Sequence, residues 1–463
     1  MKIYNTLSGK KEPLPKPPRG KPLRLFVCGP TVYDTPHIGN ARTYMVFDAF
    51  VRFLRSKRIR IEYLQNITDV DDKIILRAHE AKISPEALAQ QFITIYREDM
   101  ARAGITNVDR YASATKYIPQ IIRQVETLIE KSYAYTIPHD GIYFEIAAFP
   151  HYGQLARRTA LDAEDGTSRI DESESKRGKG DFCLWKFERS GEPSWKAPFG
   201  AGRPGWHIED TAISEAHFGT QYEVHGGGVD LKFPHHEAEI AQQESASGKH
   251  PFVKLWMHVG ALLANDKKMS KSLRNFVPFR TFLAQHPPDT FRLMVLRHHY
   301  RSPMHYTEAL AEETERMLGN IHAFLHKLRF TGSAPKEQFK AIPRGRIRTF
   351  TLSFSATLED DFNTPEAFAT LFTFMNELQT VIYFLSKKDA REALRAIEAS
   401  LTSLGLGIPK ARIPSDIRGL LAARDAMRNN QQFIQSDALR KKIESVGYII
   451  EDTPLGPLVF PKL

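Results

Sequence analysis

The chain has 463 residues, 42% hydrophobic and 25% charged, with a formal charge of +10; this exceeds one hydrophobic core, and two to four domains are expected. No apolar run reaches the ~18 residues of a membrane span, residues 1–11 lack the apolar core of a signal peptide, and two cysteines, Cys28 and Cys183, exclude a disulfide framework. A cytoplasmic protein in a reducing compartment, with no membrane partner, is expected. Residues 1–60 hold thirteen Lys/Arg against three Asp/Glu, which is the whole excess of charge. Such a balance suits a polyanion, whose counterions are released on binding, although a solvated basic surface gives the same numbers.

After a Pro-rich lead (Glu12 to Pro22), Leu23 to Cys28 is a short apolar run that fits a buried strand, and a Gly-Pro turn follows. Tyr44, Phe47, Val51 and Leu54 give Asn40 to Arg55 a helical period, and Ile59, Ile61 and Tyr63 alternate as in a strand. Strand, turn, helix and strand in that order open a doubly wound parallel α/β sheet, which binds ligands at the carboxyl ends of its strands. Residues 81–135 read as helical, and Gly141 to Glu145 returns to strand. Glu164 to Gly180, rich in Gly, Ser and charge, reads as an exposed loop, and α/β character resumes from Gly205 to Val295.

From Leu310 the pattern changes. Leu310, Met317, Leu318, Ile321, Leu325 and Leu328 recur at helical spacing, and Thr364-Pro365 reads as an N-cap followed by Pro at the first helical position. Phe368, Leu371, Phe372, Met375 and Leu378 give that helix its apolar face. A last small unit begins near Ser415 and ends in a strand-like Val446 to Ile450. The expected organisation is a Rossmann-like domain over 1–305 with an insertion at about 110–205, an α-helical bundle over 306–405 and a small C-terminal α/β unit over 406–463.

Two motifs carry chemistry. Pro30-Thr-Val-Tyr-Asp-Thr-Pro-His37-Ile-Gly39-Asn40 joins the first strand to the first helix. Small residues there admit a ligand to the backbone, and a helix N-terminus favours phosphate. His37 donates to phosphate without a fixed charge; a structural His in a tight turn is the plainer alternative. Lys268-Met269-Ser270-Lys271-Ser272, in the loop 265–275, offers two lysines three apart that can neutralise a departing pyrophosphate, or simply a solvated basic loop.

The pair resembles the HIGH and KMSKS signatures of class I aminoacyl-tRNA synthetases. Further blocks resemble the cysteinyl-tRNA synthetase family over nearly the whole chain: Phe26-Val-Cys28-Gly-Pro-Thr-Val-Tyr-Asp, Asn66-Ile-Thr-Asp-Val-Asp-Asp-Lys73, Gly202-Arg-Pro-Gly-Trp-His-Ile-Glu209, His225-Gly-Gly-Gly-Val-Asp230, Phe233-Pro-His-His-Glu-Ala-Glu239 and Trp256-Met-His258. The resemblance implies an ATP-dependent ligase that forms cysteinyl-adenylate and passes the amino acid to the 3′ end of tRNA(Cys), with L-cysteine, ATP and Mg²⁺ as partners. It implies catalytic roles for His37, Lys268 and Lys271, and nucleotide contacts from Gly29, Thr31, Gly39, Asn40, Gly226, Gly227, Gly228, Asp230 and Lys271. Asn40 stands where the motif has a second His, and also donates a hydrogen bond. Thr68 and Trp206 match positions bordering the amino acid, with core packing as the plainer reading of Trp206.

The family also implies one Zn²⁺ per chain that grips the substrate thiolate, held by two Cys, one His and one Glu. Cys28, His235 and Glu239 match; the fourth position is Asp210. Carboxylate is a legitimate zinc ligand of the same formal charge, so the site is harder and more oxygen-rich. Zinc, another divalent ion, or an Asp210 that only hydrogen-bonds are the alternatives, and His235 and Glu239, four apart, also fit a plain helix-surface pair. A monomer is expected. Two rivals stay open: a same-fold cysteine ligase with an amino-sugar acceptor, against which the full C-terminus counts, and an inactive RNA-binding paralogue, against which His37, Lys268 and Lys271 count.

Overall fold

Apolar runs short enough to be strands alternate with amphipathic helices through the first half of the chain, and the backbone follows them. The structure is a computed structural model that describes all residues except 158–174, 265–266, 269–275, 334–341, 344, 409–412 and 463. It divides into two units: Met1–Gln285 with Tyr300–Tyr306 and Asp360–Phe362, and His286–His299 with Thr307–Glu359 and Asn363–Leu463.

The first unit opens on an antiparallel hairpin of β1 (Lys2–Asn5) and β2 (Lys10–Pro13). The buried run becomes β3 (Leu23–Val27), followed by α1 (Ile38–Ser56), β4 (Ile61–Ile67), α2 (Asp72–Ala81) and α3 (Pro85–Arg102). The region expected to be helical contains α3 and α4 (Ile118–Glu130), but between them Arg110–Ser113 forms β5, paired in parallel with β4. Four residues flanked by strong helical periods leave too short an alternation to read. Next, β6 (Ala134–Ile137), β7 (Gly141–Phe144), β8 (Phe182–Phe187) and β9 (Gly202–Pro204) make a separate antiparallel sheet, the inserted subdomain. Most of the polar stretch 164–180 lies outside the described residues.

The chain then returns to the first sheet through α5 (Ile208–Phe218), β10 (Tyr222–Gly228), α6 (Glu237–Ser247) and β11 (Val253–Val259). The main sheet has the order β11-β10-β3-β4-β5 and every pairing is parallel. This is the doubly wound arrangement expected, and its order reverses between β3 and β10. The carboxyl ends of those two strands therefore flank a crevice that no crossover fills. Both central strands are almost wholly buried, as parallel strands covered on two faces should be. Beyond them lie β12 (Leu262–Ala264), β13 (Lys267–Lys268), α7 (Phe279–Gln285) and β14 (Met304–His305).

Three residues from far along the chain complete this unit. Asp361 accepts from the Tyr4 amide (2.8 Å), the Tyr300 hydroxyl (2.7 Å) and Arg301 Nε (2.9 Å), and Phe362 packs edge-on against Phe50.

The second unit contains α8 (Pro288–Leu296), α9 (Glu308–Thr331), α10 (Arg346–Glu359), α11 (Thr364–Gln379), α12 (Lys387–Ser403), α13 (Ser415–Asn429) and α14 (Phe433–Ser445), then the hairpin β15 (Tyr448–Thr453) and β16 (Gly456–Pro461). The cap of α11 falls one residue earlier than expected: Asn363 Oδ1 accepts from the Glu366 amide (3.2 Å), while Thr364 is already helical. Its buried stripe runs through Phe374 rather than Phe372.

Candidate active site and metal centre

At the switch point of the sheet lies a cavity of about 530 Å³. Its wall includes Cys28, Gly29, Thr31, His37, Gly39, Asn40, Thr68, Trp206, Asp210, Gly228, Asp230 and His235, so most residues singled out in the sequence converge there. Gly226, Gly227 and Glu239 stand behind that wall. Lys271 lies outside the described residues, as does the side chain of Lys268, whose backbone belongs to β13.

One end of the cavity is built on the start of α1. His37 is its N-cap: its Nδ1 accepts from the Asn40 amide (3.2 Å), and Asn40 Oδ1 accepts in return from the His37 amide (3.4 Å). This reciprocal cap satisfies two backbone donors and places the proton of the neutral ring on Nε2. A Cβ at Gly39 would sit 2.8 Å from His37 Nδ1, so only glycine lets the imidazole fold over the helix end. Asn40 therefore contributes a cap that orients His37. Arg42, buried on the same helix, donates to the carbonyls of Gly260, Ala261 and Ser302 at 2.6–2.7 Å. It thereby fixes Gly260 and Ala261, which line the cavity opposite. Burial lowers its pKa to about 10.

The glycines of β10 have more than one task. A Cβ at Gly226 would strike the Phe47 ring of α1 at 2.1 Å, and one at Gly227 would strike His236 at 2.8 Å. These two make room for packing inside the protein, whereas Gly228 and Asp230 reach the cavity.

The other end is a cluster of buried polar side chains. Cys28 leaves the end of β3, Asp210 lies in the first turn of α5, and His235 and Glu239 flank the start of α6. His235 Nε2 is 3.0 Å from Asp210 Oδ2 and 3.0 Å from Glu239 Oε1, and Cys28 Sγ is 3.7 Å from Glu239 Oε1. These four ligating atoms lie within 4.8 Å of one another and all four residues are buried, so the helix-surface reading of His235 and Glu239 does not hold. The other nitrogen of His235, Nδ1, meets His207 Nδ1 at 2.8 Å. Trp206 stacks on the His235 ring (centroids 4.5 Å apart, 20° between planes) and is 38% exposed, which makes it cavity wall rather than core. Thr68 Oγ1 donates to the buried carboxylate of Glu209.

Burial drives the chemistry of this cluster. It pushes the Cys28 thiol well above its usual range, with Glu239 and Asp210 adding to the effect. It raises the Glu239 carboxyl to about 7. Burial works against a charged His235, yet Glu239 and Asp210 hold it protonated and raise its pKa to about 10. Two carboxylates and a thiol packed this way call for positive charge among them. Asp210 Oδ1 and Glu239 Oε2 are buried without a hydrogen-bond partner, and such lone pairs are what a bound cation satisfies. The donor set of one sulfur, one imidazole and two carboxylates fits Zn²⁺ or a neighbouring divalent transition ion.

Sequence reading passed over several residues that the fold brings here: Lys73, Tyr44 and Tyr96 in the wall, and His207, Glu209, Tyr222, His225, His236 and His258 behind it. Their only advance signal was that most of them lie inside the recognised blocks.

A family model described as the tRNA synthetases class I (C) catalytic domain matches residues 15–316, and a DALR domain model matches residues 353–408. The fold is shared with the Mycobacterium tuberculosis methionyl-tRNA synthetase in complex with methionyl-adenylate, at TM-score 0.60 and 14% identity, over 83% of this chain and 89% of that one. The family-model match over residues 15–316, which is more than half of the chain, makes this a class I aminoacyl-tRNA synthetase. Among curated relatives, the cysteine–tRNA ligase of Thermoplasma volcanium is 39% identical over 453 residues and that of Halorhodospira halophila 41% identical over 472, each covering 98% of both chains. The chain belongs to the cysteine–tRNA ligase family of ATP-dependent ligases. No helix among the described residues is long and apolar enough to cross a membrane.

Proposed function

We propose that the chain activates L-cysteine with ATP and transfers it to the 3′ end of tRNA(Cys), with the two ends of the cavity dividing the work. In the first step the cysteine carboxylate attacks the α-phosphate of ATP, giving cysteinyl-adenylate and pyrophosphate. His37 Nε2–H donates to the phosphates at the end of α1, with Asn40 holding its ring, and Gly29, Thr31 and Gly39 admit the phosphates to the backbone. Gly228 and Asp230 receive the nucleoside, the carboxylate accepting from ribose hydroxyls. Mg²⁺ accompanies ATP, and Lys268 and Lys271 neutralise the charge that builds on the departing pyrophosphate. In the second step a ribose hydroxyl of the terminal tRNA adenosine takes the cysteinyl group. Rate enhancement comes from positioning and electrostatics, with no protein nucleophile.

Cys28, Asp210, His235 and Glu239 would hold Zn²⁺, which supplies a sulfur-preferring Lewis acid and so favours cysteine over serine without editing. Trp206 and Thr68 border the amino acid, the indole holding the His235 ring in plane. The helical bundle and the C-terminal unit bind the tRNA. A monomer in the cytoplasm is part of this reading.

The observation that supports it most is the convergence of that buried sulfur, nitrogen and oxygen cluster with the His37 cap on one cavity. Charging of tRNA(Cys) transcript with labelled cysteine by the purified chain tests it. Cysteine-specific charging is expected; adenylate formation without transfer to tRNA would contradict the acceptor.

A further inference from the structure

The ligase reading brings three substrates to one cavity, and the two ends described above take up two of them. We propose that a third wall, carrying Tyr33, Lys73 and Phe92, is the subsite for the 3′-terminal nucleotide of the acceptor: Lys73 holds its phosphate and the two rings hold its base. The proposal rests on the reading above and deepens it, because it assigns these three residues to the transfer step and not to activation.

The wall lies where an acceptor has to enter. Tyr33 stands in the turn between β3 and α1, Lys73 in the first turn of α2 and Phe92 in α3, and all three line the cavity. Tyr33 comes just before His37 in the chain, and Lys73 just after Thr68. The two turns are tied together: the Val32 amide donates to the Thr68 carbonyl and the Thr68 amide to the Pro30 carbonyl, both at 3.1 Å. This wall therefore adjoins the phosphate end through His37 and the amino acid end through Thr68. A hydroxyl delivered from it reaches the carboxyl that lies between the two.

Its chemistry suits a single-stranded nucleotide. Lys73 is exposed, and its Nζ lies 5.7 Å from the centroid of the Tyr33 ring. Among the described residues it is the one Lys or Arg of the cavity wall, and no carboxylate there forms an ion pair with it. The acidic residues beside it are occupied otherwise. Asp71 caps α2 by accepting from the Lys73 amide (2.9 Å), and Asp72 accepts from Lys186 (2.7 Å) and from the buried Arg203 of the inserted sheet. The backbone of Lys73 is thus fixed while its charge is left for a ligand, and an ammonium at such a point fits phosphate. Tyr33 and Phe92 pack on a buried cluster that includes Ile67, Ile74 and Leu88, and both are only half-buried, so part of each ring stays open. Open aromatic surface beside a cation is how single strands are held: bases stack on the rings, and the cation tracks the backbone.

The test compares the two steps in the full chain, for the wild type, Lys73→Gln, Lys73→Arg and Tyr33→Ala. Cysteine-dependent ATP–pyrophosphate exchange reads activation, and single-turnover transfer from enzyme-bound cysteinyl-adenylate to tRNA(Cys) transcript reads the second step. Transfer should slow about tenfold or more in Lys73→Gln and Tyr33→Ala, while exchange changes by less than about twofold; Lys73→Arg should restore most of the transfer rate. Removing the terminal nucleotide from the transcript should weaken binding to the wild type and make little difference to Lys73→Gln. Exchange and transfer reduced equally would assign Lys73 to activation and overturn the proposal, as would transfer at the wild-type rate. A wild type that forms adenylate but charges no tRNA defeats the ligase reading and the subsite with it. A thermal unfolding curve checks each variant; should Tyr33→Ala not fold, the Lys73 variants and the shortened transcript decide.

Discussion

The two ends of the cavity are made in different ways. The end proposed for the nucleotide is local: His37, Gly39 and Asn40 lie within four consecutive residues, and one helix cap positions them all. The thiol end is assembled from β3, α5, β10 and α6, and each of its groups is in place only when the sheet has closed. A local end should lose function through single contacts and leave its neighbours undisturbed. An assembled end should respond as a unit, because each buried group is the partner of several others.

The largest expected effect separates the two ends outright. Cys28→Ala removes the only sulfur of the cluster, and cysteine-dependent ATP–pyrophosphate exchange should fall on the order of 10³-fold or more, as in a site that no longer holds the group it was built to bond. ATP binding, followed by nucleotide fluorescence, should persist. His37→Ala is the mirror experiment. Removing one donor to a charge that develops in the reaction should lower kcat about 10²–10³-fold, while bound metal, measured by elemental analysis, should not change.

Next in size is Arg42→Ala, which strips three carbonyls of a buried donor. At about 1–3 kcal/mol for a buried acceptor left unpaired, the first unfolding transition in urea should shift by about 3 kcal/mol. KM for ATP should rise more than KM for cysteine, because Gly260 and Ala261 form the wall that moves. His207→Gln loosens the ring of His235 from behind, and metal affinity by competitive chelation should drop about tenfold.

The smallest effect is a control far from both ends. In the second unit Arg424 donates to both oxygens of Asp452 at 2.8 and 2.9 Å, and these hydrogen bonds lower the Asp452 pKa below its ordinary 3.8. A depressed carboxyl stabilises the folded state fully above its unfolded pKa, near 3.9, and that stabilisation is lost as pH falls through the lower folded value. Acid unfolding of Asp452→Asn should show a shallower dependence below about pH 4, with pyrophosphate exchange at neutral pH unchanged.

The same contrast explains what the sequence made legible. The strand–turn–helix opening and the doubly wound sheet follow from periodicity and short-range chemistry, and each was readable in one pass; the reciprocal cap of His37 and Asn40 was not, since the sequence offered His37 only as a phosphate donor or a turn residue. The strand Arg110–Ser113 was not, because its pairing with β4 rather than its own pattern makes it a strand. Cys28, Asp210, His235 and Glu239 were nameable only through the family blocks, since no spacing relation joins residue 28 to residue 239. His225 and His236 stood in the same blocks unremarked: nothing local distinguishes an imidazole that faces the Cys28 thiol from one that packs in a core. Gly226 and Gly227 looked like nucleotide glycines, and their neighbours Phe47 and His236 give them a packing reason that only tertiary structure supplies.

The central claim is that a buried metal at Cys28 selects cysteine for reaction at the His37 end. It is tested most directly by ATP–pyrophosphate exchange with cysteine and with serine, before and after chelation and after zinc is returned. Exchange with cysteine alone, abolished by the chelator and restored by zinc, is the predicted result. Exchange that survives chelation, or that serine supports equally, would contradict it.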